Sequence, residues 1–578
     1  MFTKPEVRQR EVESGADSLP DSIHPVIRRI LLARSITDEA ALDLKLGRLQ
    51  SPAKLSGINE AADILADAVV DGQNILIVGD FDADGATGTA VAVRALHLMG
   101  ATKVDFRVPN RFEFGYGLSV ALVETLADNP PDVLVTVDSG ISSNDGVARA
   151  RELGCKVVVT DHHLPGKILP EADAIVNPNC PGDQFASKSL AGVGVVFYLM
   201  SVVRTALRSR DWFTVPRKEP NLARLLDLVA LGTVADLVSL DSNNRILVRQ
   251  GMDRIRQGYC SAGLLALLRL GKRDYRHLVA SDLAFAVAPR LNAAGRMEDM
   301  SVGIRCLLSD DRDEAMTLAT ELDDLNHQRR ARQEQMQQQA LDQLQGLLDG
   351  LKGTDLPAGL CLHNDKWHQG IVGLVASRIK DAVHRPVIAF APENEGSGIL
   401  KGSARSVSGL HIRDVLARVD ALHPDMIVAF GGHAMAAGLT LPLSEFEPFG
   451  AALEEAIEYF LQGKILNNVL LTDGEIEPED LNLEFAQALR SLGPWGQHFP
   501  EPVFEGRFVV EEQRVVGGAH LKMTVRPVGG GSSIDAIAFG KLPEQLPDTD
   551  TAGFIYRLDI NHFRGRKTCQ LMIEQILD

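Results

Sequence analysis

The chain has 578 residues, 45% of them apolar and 24% charged, and a formal net charge of −18. It is too long for one hydrophobic core, so roughly three or four domains are expected, and the composition is that of a globular protein. Its six cysteines are scattered and form no CxxC pair, which excludes a zinc ribbon or disulfide framework and points to a reducing compartment.

Residues 1–20 are polar and lack the apolar stretch of a signal peptide. No run approaches the roughly 18–20 apolar residues of a membrane span. A cytoplasmic protein with no membrane partner is the expectation. The acidic total is a mild objection to a nucleic-acid partner. Bound cations would cancel part of it, and basic clusters such as Arg329-Arg330-Ala331-Arg332 occur locally.

Residues 25–70 have helical spacing, with Ile27, Ile30 and Leu31, then Ile64, Leu65 and Ala68. Short apolar runs at 74–79, 133–137, 155–160 and 174–176 then alternate with helical stretches. That pattern predicts a parallel sheet covered on both faces. A second helical region runs through Asp236 towards Leu270, and residues 311–350 read as one long connecting helix. A second α/β unit is expected from Ala358 to about Phe460, with strands near 359–362 and 387–390. The segments 508–516, 520–527, 533–539 and 556–573 read as strands with Gly-rich turns, a small barrel of OB type.

The chemistry gathers where the first strands stop. One ends in Asp80-Phe81-Asp82-Ala83-Asp84-Gly85, another in Asp138-Ser139-Gly140 and a third in Asp161-His162-His163. In open parallel sheets ligands bind outside the carboxyl ends of the strands. One Asp there is ordinarily a turn former or a helix cap. Five aspartates and two histidines in one crevice would repel one another unless cations or protons neutralised them. Carboxylate with imidazole and no thiolate suits Mn²⁺ or Mg²⁺. In an extended or turn backbone Asp82 and Asp84 can point the same way and serve different ions. An ion pair of that kind suits in-line attack on phosphorus.

DFDADG at 80–85, DSG at 138–140, DHH at 161–163 and GTVAD at 232–236 resemble the motifs of the DHH phosphoesterases. Val108-Pro109-Asn110-Arg111, Gly115-Tyr116-Gly117 and Pro289–Arg296 (PRLNAAGR) resemble the RecJ exonucleases within that superfamily. Residues 367–373, 402–406 and 431–438 resemble a DHH-associated domain, with Ala434-Met435 where relatives often carry Pro. The resemblance implies Asp82, Asp84, Asp138, His162 and Asp236 as ligands of two Mn²⁺ or Mg²⁺ ions. It implies His163 at the scissile phosphate, with Asp80 and Asp161 as catalytic or ligand-orienting groups. From the residues alone, Asp236 could equally be a helix-terminal Asp.

Substrate contacts implied are Arg111, Arg290, Asn292, Arg296, Arg378, Ser403, Arg405, Gly432 and His433, with Ser403 and Arg405 on a terminal 5′-phosphate. Gly-rich turns, a helix N-terminus and Arg forks are also what an anion needs. GGHAMAAG alone could be a helix-packing segment or a binding loop. Phe563, Arg564, Arg566 and Lys567 could lie on a strand-binding hairpin or a solvated turn, and Trp495 could be core.

The implied domains are a helical segment at 1–70, a DHH domain at 71–310, a connecting helix at 311–352, a DHH-associated domain at 353–463 and an OB-like domain at 464–578. The implied activity is 5′-to-3′ exonuclease on single-stranded DNA, with single-strand-binding protein and a helicase as family partners. The rivals are a DHH enzyme on short oligonucleotides or nucleotides, and a non-catalytic replication scaffold of the same fold.

Overall fold

A computed structural model describes residues 6–12, 17–110, 114–115, 117–351, 357–367, 369–394, 396–462, 469–547, 549–563 and 565–577. The chain forms two compact units, Arg10–His327 with Asp473–Asp578, and Met1–Gln9 with Gln328–Thr472.

In the larger unit, α1 (Pro25–Leu32) and α2 (Ile58–Asp71) precede the first strands. Between them the expected helix is replaced by three 3₁₀ turns, each opened by its own boundary residue, with Asp38 and Ser51 capping two of them. β2 (Ile75–Gly79), β3 (Val104–Arg107), β4 (Val133–Val137), β5 (Lys156–Thr160) and β6 (Ala174–Val176) form an all-parallel sheet in the order β3-β2-β4-β5-β6. Every residue of β2 and β4 is buried, because both faces are covered. Ile75, Ile77 and Val135 face α2, α3 (Ala83–Leu98) and α6 (Gly192–Ser209). Leu76, Val78 and Leu134 face α4 (Val120–Glu124) and α5 (Asn144–Glu152).

Residues Gly79, Val137 and Thr160 stand side by side in the ladder. The next residues, Asp80, Asp138 and Asp161, therefore leave the sheet in one row. That register decides where the site lies.

α6 reaches the length and mean hydropathy of a membrane span, 1.2, which the apolar runs of the sequence did not suggest. It carries Arg204 and Arg208 and packs in the core against α2, α3 and α7 (Leu226–Ala235). Beyond it come α8 (Ser242–Arg256), α9 (Ala262–Leu270), the single turn α10 (Ala280–Asp282), a π-helical turn (Leu283–Val287), α11 (Ala288–Met297) and α12 (Ser301–Leu308). The long helix α13 (Arg312–Leu351) follows.

In the smaller unit, β7 (Leu360–His363), β8 (Val387–Pro392), β9 (Ile399–Arg405), β10 (Ala429–Gly432) and β11 (Ala436–Pro442) make a sheet in the order β10-β11-β9-β8-β7. Helices α14 (Gln369–Val383), α15 (Ile412–Leu422) and α16 (Phe446–Leu461) belong to this unit, and α14 packs on β8 and β9. One expectation is corrected here. Residues 402–405 are strand, and GGHAMAAG, read as helix packing or a binding loop, is a β-hairpin. Side chains alternating in burial along β9 and β11 mark strands whose small and polar residues concealed them. A separate parallel pair joins β1 (Glu6–Gln9) to β12 (Val469–Thr472).

After α17 (Leu483–Leu492) the chain closes a barrel in the larger unit. Its strands are β13 (Phe504–Val516), β14 (His520–Pro527), β15 (Ile534–Phe539), β16 (Thr551–Phe563) and β17 (Arg566–Leu577), in the order β13-β14-β15-β17-β16. Phe504, Phe508, Phe554 and Tyr556 fill it, and Val26 and Ile30 of α1 join the same cluster. The N-terminal helix is thus shared with the barrel. Arg34 completes the link, since its guanidinium donates to both carboxylate oxygens of buried Asp473 at 2.6 and 3.0 Å.

Candidate metal centre

Asp80 follows β2 and is 4% exposed. Its carboxylate accepts the N–H of Phe81 at 2.8 Å. Burial, with Asp82 beside it, raises its pKa to about 7. Asp82 is the N-cap of α3 and accepts the N–H groups of Asp84 and Gly85 at 2.9 and 3.0 Å. Asp84 sits in the first helical turn, so the D-x-D pair is cap plus helix rather than an extended alternation.

Asp84 is held from a distance in sequence. It accepts the N–H groups of Gly192 at 2.7 Å and Val193 at 2.9 Å from the start of α6. Burial and then Asp82 raise it to about 7. Asp138 is buried with φ of 59°, a left-handed conformation that a non-glycine residue adopts at a cost. Burial, then Asp84, Asp82 and Asp236, push its carboxyl well above the usual range. Asp236 caps the C-terminus of α7, as the alternative reading had it, and still faces the same cluster. Burial and then Asp84 raise it to about 9.

His162 joins these carboxylates. Its Nε2 lies 3.1 Å from Asp138 Oδ1, 3.5 Å from Asp236 Oδ2 and 4.0 Å from Asp84 Oδ2. Burial, and then His163, lower its pKa to about 4, so the ring is neutral at pH 7. That buried Nε2 makes no hydrogen bond. A buried imidazole nitrogen aimed at crowded carboxylates is an arrangement a cation satisfies. Asp80, Asp82 and Asp138 bring ligand atoms within 4.8 Å of one another, as do Asp84, His162 and Asp236, and Asp138, His162 and His163. Asp82 and Asp84 fall in different groups, linked through the third, which shares Asp138 with the one and His162 with the other. The oxygen-rich, thiolate-free set fits Mn²⁺ or Mg²⁺.

Asp161 faces the protein instead. It accepts the N–H groups of Ile141, His162 and His163 and meets Nδ1 of His163 at 2.7 Å. Burial pushes its pKa up, but these bonds, led by the His163 side chain, outweigh it and hold the group below its ordinary value. For His163 burial acts downward, and the bond to Asp161 and the surrounding carboxylates win, giving about 9. His163 is thus a half-exposed cation at the rim of the cluster.

The implied substrate residues divide. Asn292 accepts the N–H of Ala83 at 2.7 Å. Arg290 is buried, paired with Asp323 at 2.8 Å and donating to Ala286 O, so it is an internal brace of α11 rather than an open anion fork. Arg296 is exposed. Arg111 lies outside the described residues, as does Arg564, and no side chain is described for Phe563.

In the smaller unit, Arg405 donates to Ser403 Oγ at 2.9 Å, and Gly373 of α14 packs on both. Gly432 (φ 140°) opens the hairpin tip that carries exposed His433, beside the end of β9. Arg378 is exposed on α14.

Three known domains match the chain: the DHH family N-terminal domain over residues 74–233, the DHHA1 domain over 357–459 and the RecJ OB domain over 472–575. The single-stranded-DNA-specific exonuclease RecJ of Escherichia coli (strain K12) is 50% identical over 574 residues, 99% of each chain. The chain belongs to the RecJ family. RecJ of Bacillus subtilis (strain 168) is 34% identical over 577 residues, 98% of this chain and 70% of that one. Crystal structures of RecJ from Thermus thermophilus agree with the fold. The complex with Mn²⁺ has a TM-score of 0.75 at 29% identity, covering 99% of this chain and 80% of the other. The complex with Mg²⁺ has a TM-score of 0.70 at 27% identity, covering 99% and 79%.

Some supports of this RecJ-family site escaped the sequence reading. Asn177 and Asn179 donate to the carbonyls of His163 and His162 at 2.9 and 2.6 Å and so shape the DHH turn. The NPN triplet after β6 was their only signal. Gly192 was another: a Cβ there would lie 2.6 Å from Asp138 Oδ1.

Proposed function

We propose that the chain is a single-stranded-DNA-specific exonuclease that digests from the 5′ end and releases 5′-mononucleotides. It would act in the cytoplasm in DNA repair and recombination, with single-strand-binding protein and a helicase as partners. The observation that carries the reading is the convergence of Asp84, Asp138 and Asp236 on the buried His162 nitrogen, with Asp82 grouped beside Asp138, in a chain half identical to a RecJ exonuclease.

Two Mn²⁺ or Mg²⁺ ions held there would polarise a phosphoryl oxygen and activate water for in-line displacement. The protein does the rest. Backbone N–H groups of residues 84, 85, 192 and 193 fix the carboxylates in place. Asp161 keeps His163 protonated and turned to the rim, where it can hold a phosphate oxygen or give a proton to the departing 3′-oxygen. Ser403 and Arg405 supply a hydroxyl and a guanidinium for a terminal phosphate.

The test is a time course on an oligonucleotide labelled at either end, single-stranded or in blunt duplex, with and without Mn²⁺. Mononucleotides should leave only the 5′ end of the single strand, and Asp82→Ala should abolish them. Equal digestion of duplex, or an active Asp82→Ala protein, would refute the reading.

A further inference from the structure

Asp84, His162 and Asp236 bring their ligand atoms together in one group, from the start of α3, the turn after β5 and the end of α7. One short segment, residues 187–189 ahead of α6, is tied to the carriers of all three. Two asparagine side chains make the ties. Asn179 Nδ2 donates to the carbonyl of His162 at 2.6 Å and to that of Lys188 at 3.1 Å. Asn244 Nδ2 donates to the carbonyl of Ser189 at 2.7 Å and to that of Ser239, just past Asp236, at 2.9 Å. A primary amide carries two N–H donors on one nitrogen, so each asparagine closes two chain segments onto each other.

The same segment has two further anchors. The Ser187 hydroxyl donates at 2.6 Å to Asp241, which caps α8, the helix that carries Asn244. Shortly after Ser189 come Gly192 and Val193, whose N–H groups hold Asp84.

These ties work against strain. Leu237, next to Asp236, takes a left-handed φ of 58° and is 65% exposed, so burial does not keep it there. Partners of the following residues do, and Asn244 is one of them. Asn244 is 0% exposed, and its buried Oδ1 makes no hydrogen bond. A core that accepts an orphaned oxygen retains the amide for its two N–H donors.

The group of Asp80, Asp82 and Asp138 has other supports. Asp82 caps α3, and Asn292 of α11 holds the neighbouring Ala83. Among the described residues, neither Asn179 nor Asn244 bonds to the segments that carry these three aspartates.

We propose that Asn179 and Asn244 are positioning residues that set one of two metal subsites, the one formed by Asp84, His162 and Asp236, through residues 187–189. The two ions are then held by separately braced halves, and one is lost without the other. The proposal rests on the metal-dependent exonuclease reading and divides its site.

The experiment is Mn²⁺ titration of the full chain, read by calorimetry and by the electron paramagnetic resonance of the free ion, with melting in EDTA to verify folding. The wild type should bind two ions. Asn179→Ala and Asn244→Ala should each weaken one of them roughly tenfold to a hundredfold, as loss of a ligand-orienting partner does, and spare the other. Asp82→Asn should weaken the spared ion, and combined with Asn244→Ala it should weaken both. Asn179 is only half-buried, so its variant decides the matter if Asn244→Ala fails to fold. A purely structural role would lower the melting temperature and leave both affinities unchanged, which would overturn the proposal. Equal weakening of both ions would overturn it too, as would loss of the same ion that Asp82→Asn weakens. A wild type that binds no Mn²⁺ would instead strike the metal reading beneath it, and the proposal with it.

Discussion

The side-chain oxygen of Asn292 accepts the backbone N–H of Ala83 at 2.7 Å, tying α11 to the first turn of α3 between Asp82 and Asp84. Nearby, Gly295 leaves no room for a Cβ, which would stand 1.8 Å from the carbonyl oxygen of Phe81. The loop is thus clamped by a helix some two hundred residues later. Asn292→Ala should weaken Mn²⁺ binding roughly tenfold to a hundredfold, as loss of a ligand-orienting partner does. Titration of the metal against the folded variant measures it, and wild-type affinity would show that the clamp is dispensable.

Carboxylates 84, 138 and 236 have raised pKa values, first through burial and then through a neighbouring carboxylate, Asp82 for Asp84 and Asp84 for the other two. Without cations that crowding opposes folding. Asp138→Asn should therefore melt higher than the wild type in EDTA. Adding Mn²⁺ should raise the wild-type melting temperature strongly and the variant's weakly, and hydrolysis by the variant should fall at least about a thousandfold. Parallel melting curves with and without the metal check the first two effects.

Gly192 both donates to Asp84 and leaves space for Asp138. In Gly192→Ala the added methyl would collide with the Asp138 carboxylate at 2.6–2.8 Å. We expect a stability cost of about 1–3 kcal/mol but a loss of turnover far larger than that cost explains. Denaturant melts set against single-turnover rates separate the two.

Arg34 and Asp473 are a buried pair with side-chain exposures of 1% and 0%. Asp473→Ala strands a buried guanidinium and should destabilise the protein by about 3–5 kcal/mol. Replacing both, Arg34→Met with Asp473→Leu, should cost much less. Chemical denaturation of the three proteins decides it.

His562 of the barrel lies 4.0 Å from the ring of His277, near Arg490, Lys567 and Asp559. Asp274 sits beside His277 on the facing segment. Partial burial, then His277, Arg490 and Lys567, lower the His562 pKa, and only Asp559 opposes them. The unfolded chain therefore binds this proton more readily than the folded one. Stability from this group is complete above the unfolded value near about 6.5 and is lost as pH falls below it. His562→Gln should flatten the fall in melting temperature between about pH 7.5 and 5.5, as thermal scans across that range would reveal.

The larger sheet was legible because its strands are nearly continuous apolar runs halted by aspartate, and burial on both faces requires such runs. The barrel was legible from alternation along 520–527, whose burial alternates without a break. β3 was missed, being a four-residue edge strand with Asp105 and Arg107 outward. β9 to β11 were missed because Gly402, Gly431 and Gly432 read as turn residues.

Sequence by itself determined the chemistry of the site: carboxylates and imidazoles at three strand ends, with no thiol among them. Tertiary structure alone decided which of them turn into the cluster. Asp138 and Asp161 both follow a strand of this sheet, yet Asp138 turns into the cluster at φ 59° while Asp161 is consumed by the N–H groups of Ile141, His162 and His163. The physical reason is that a carboxylate's direction depends on which donors reach it. For Asp84 those donors are Gly192 and Val193, over one hundred residues along the chain.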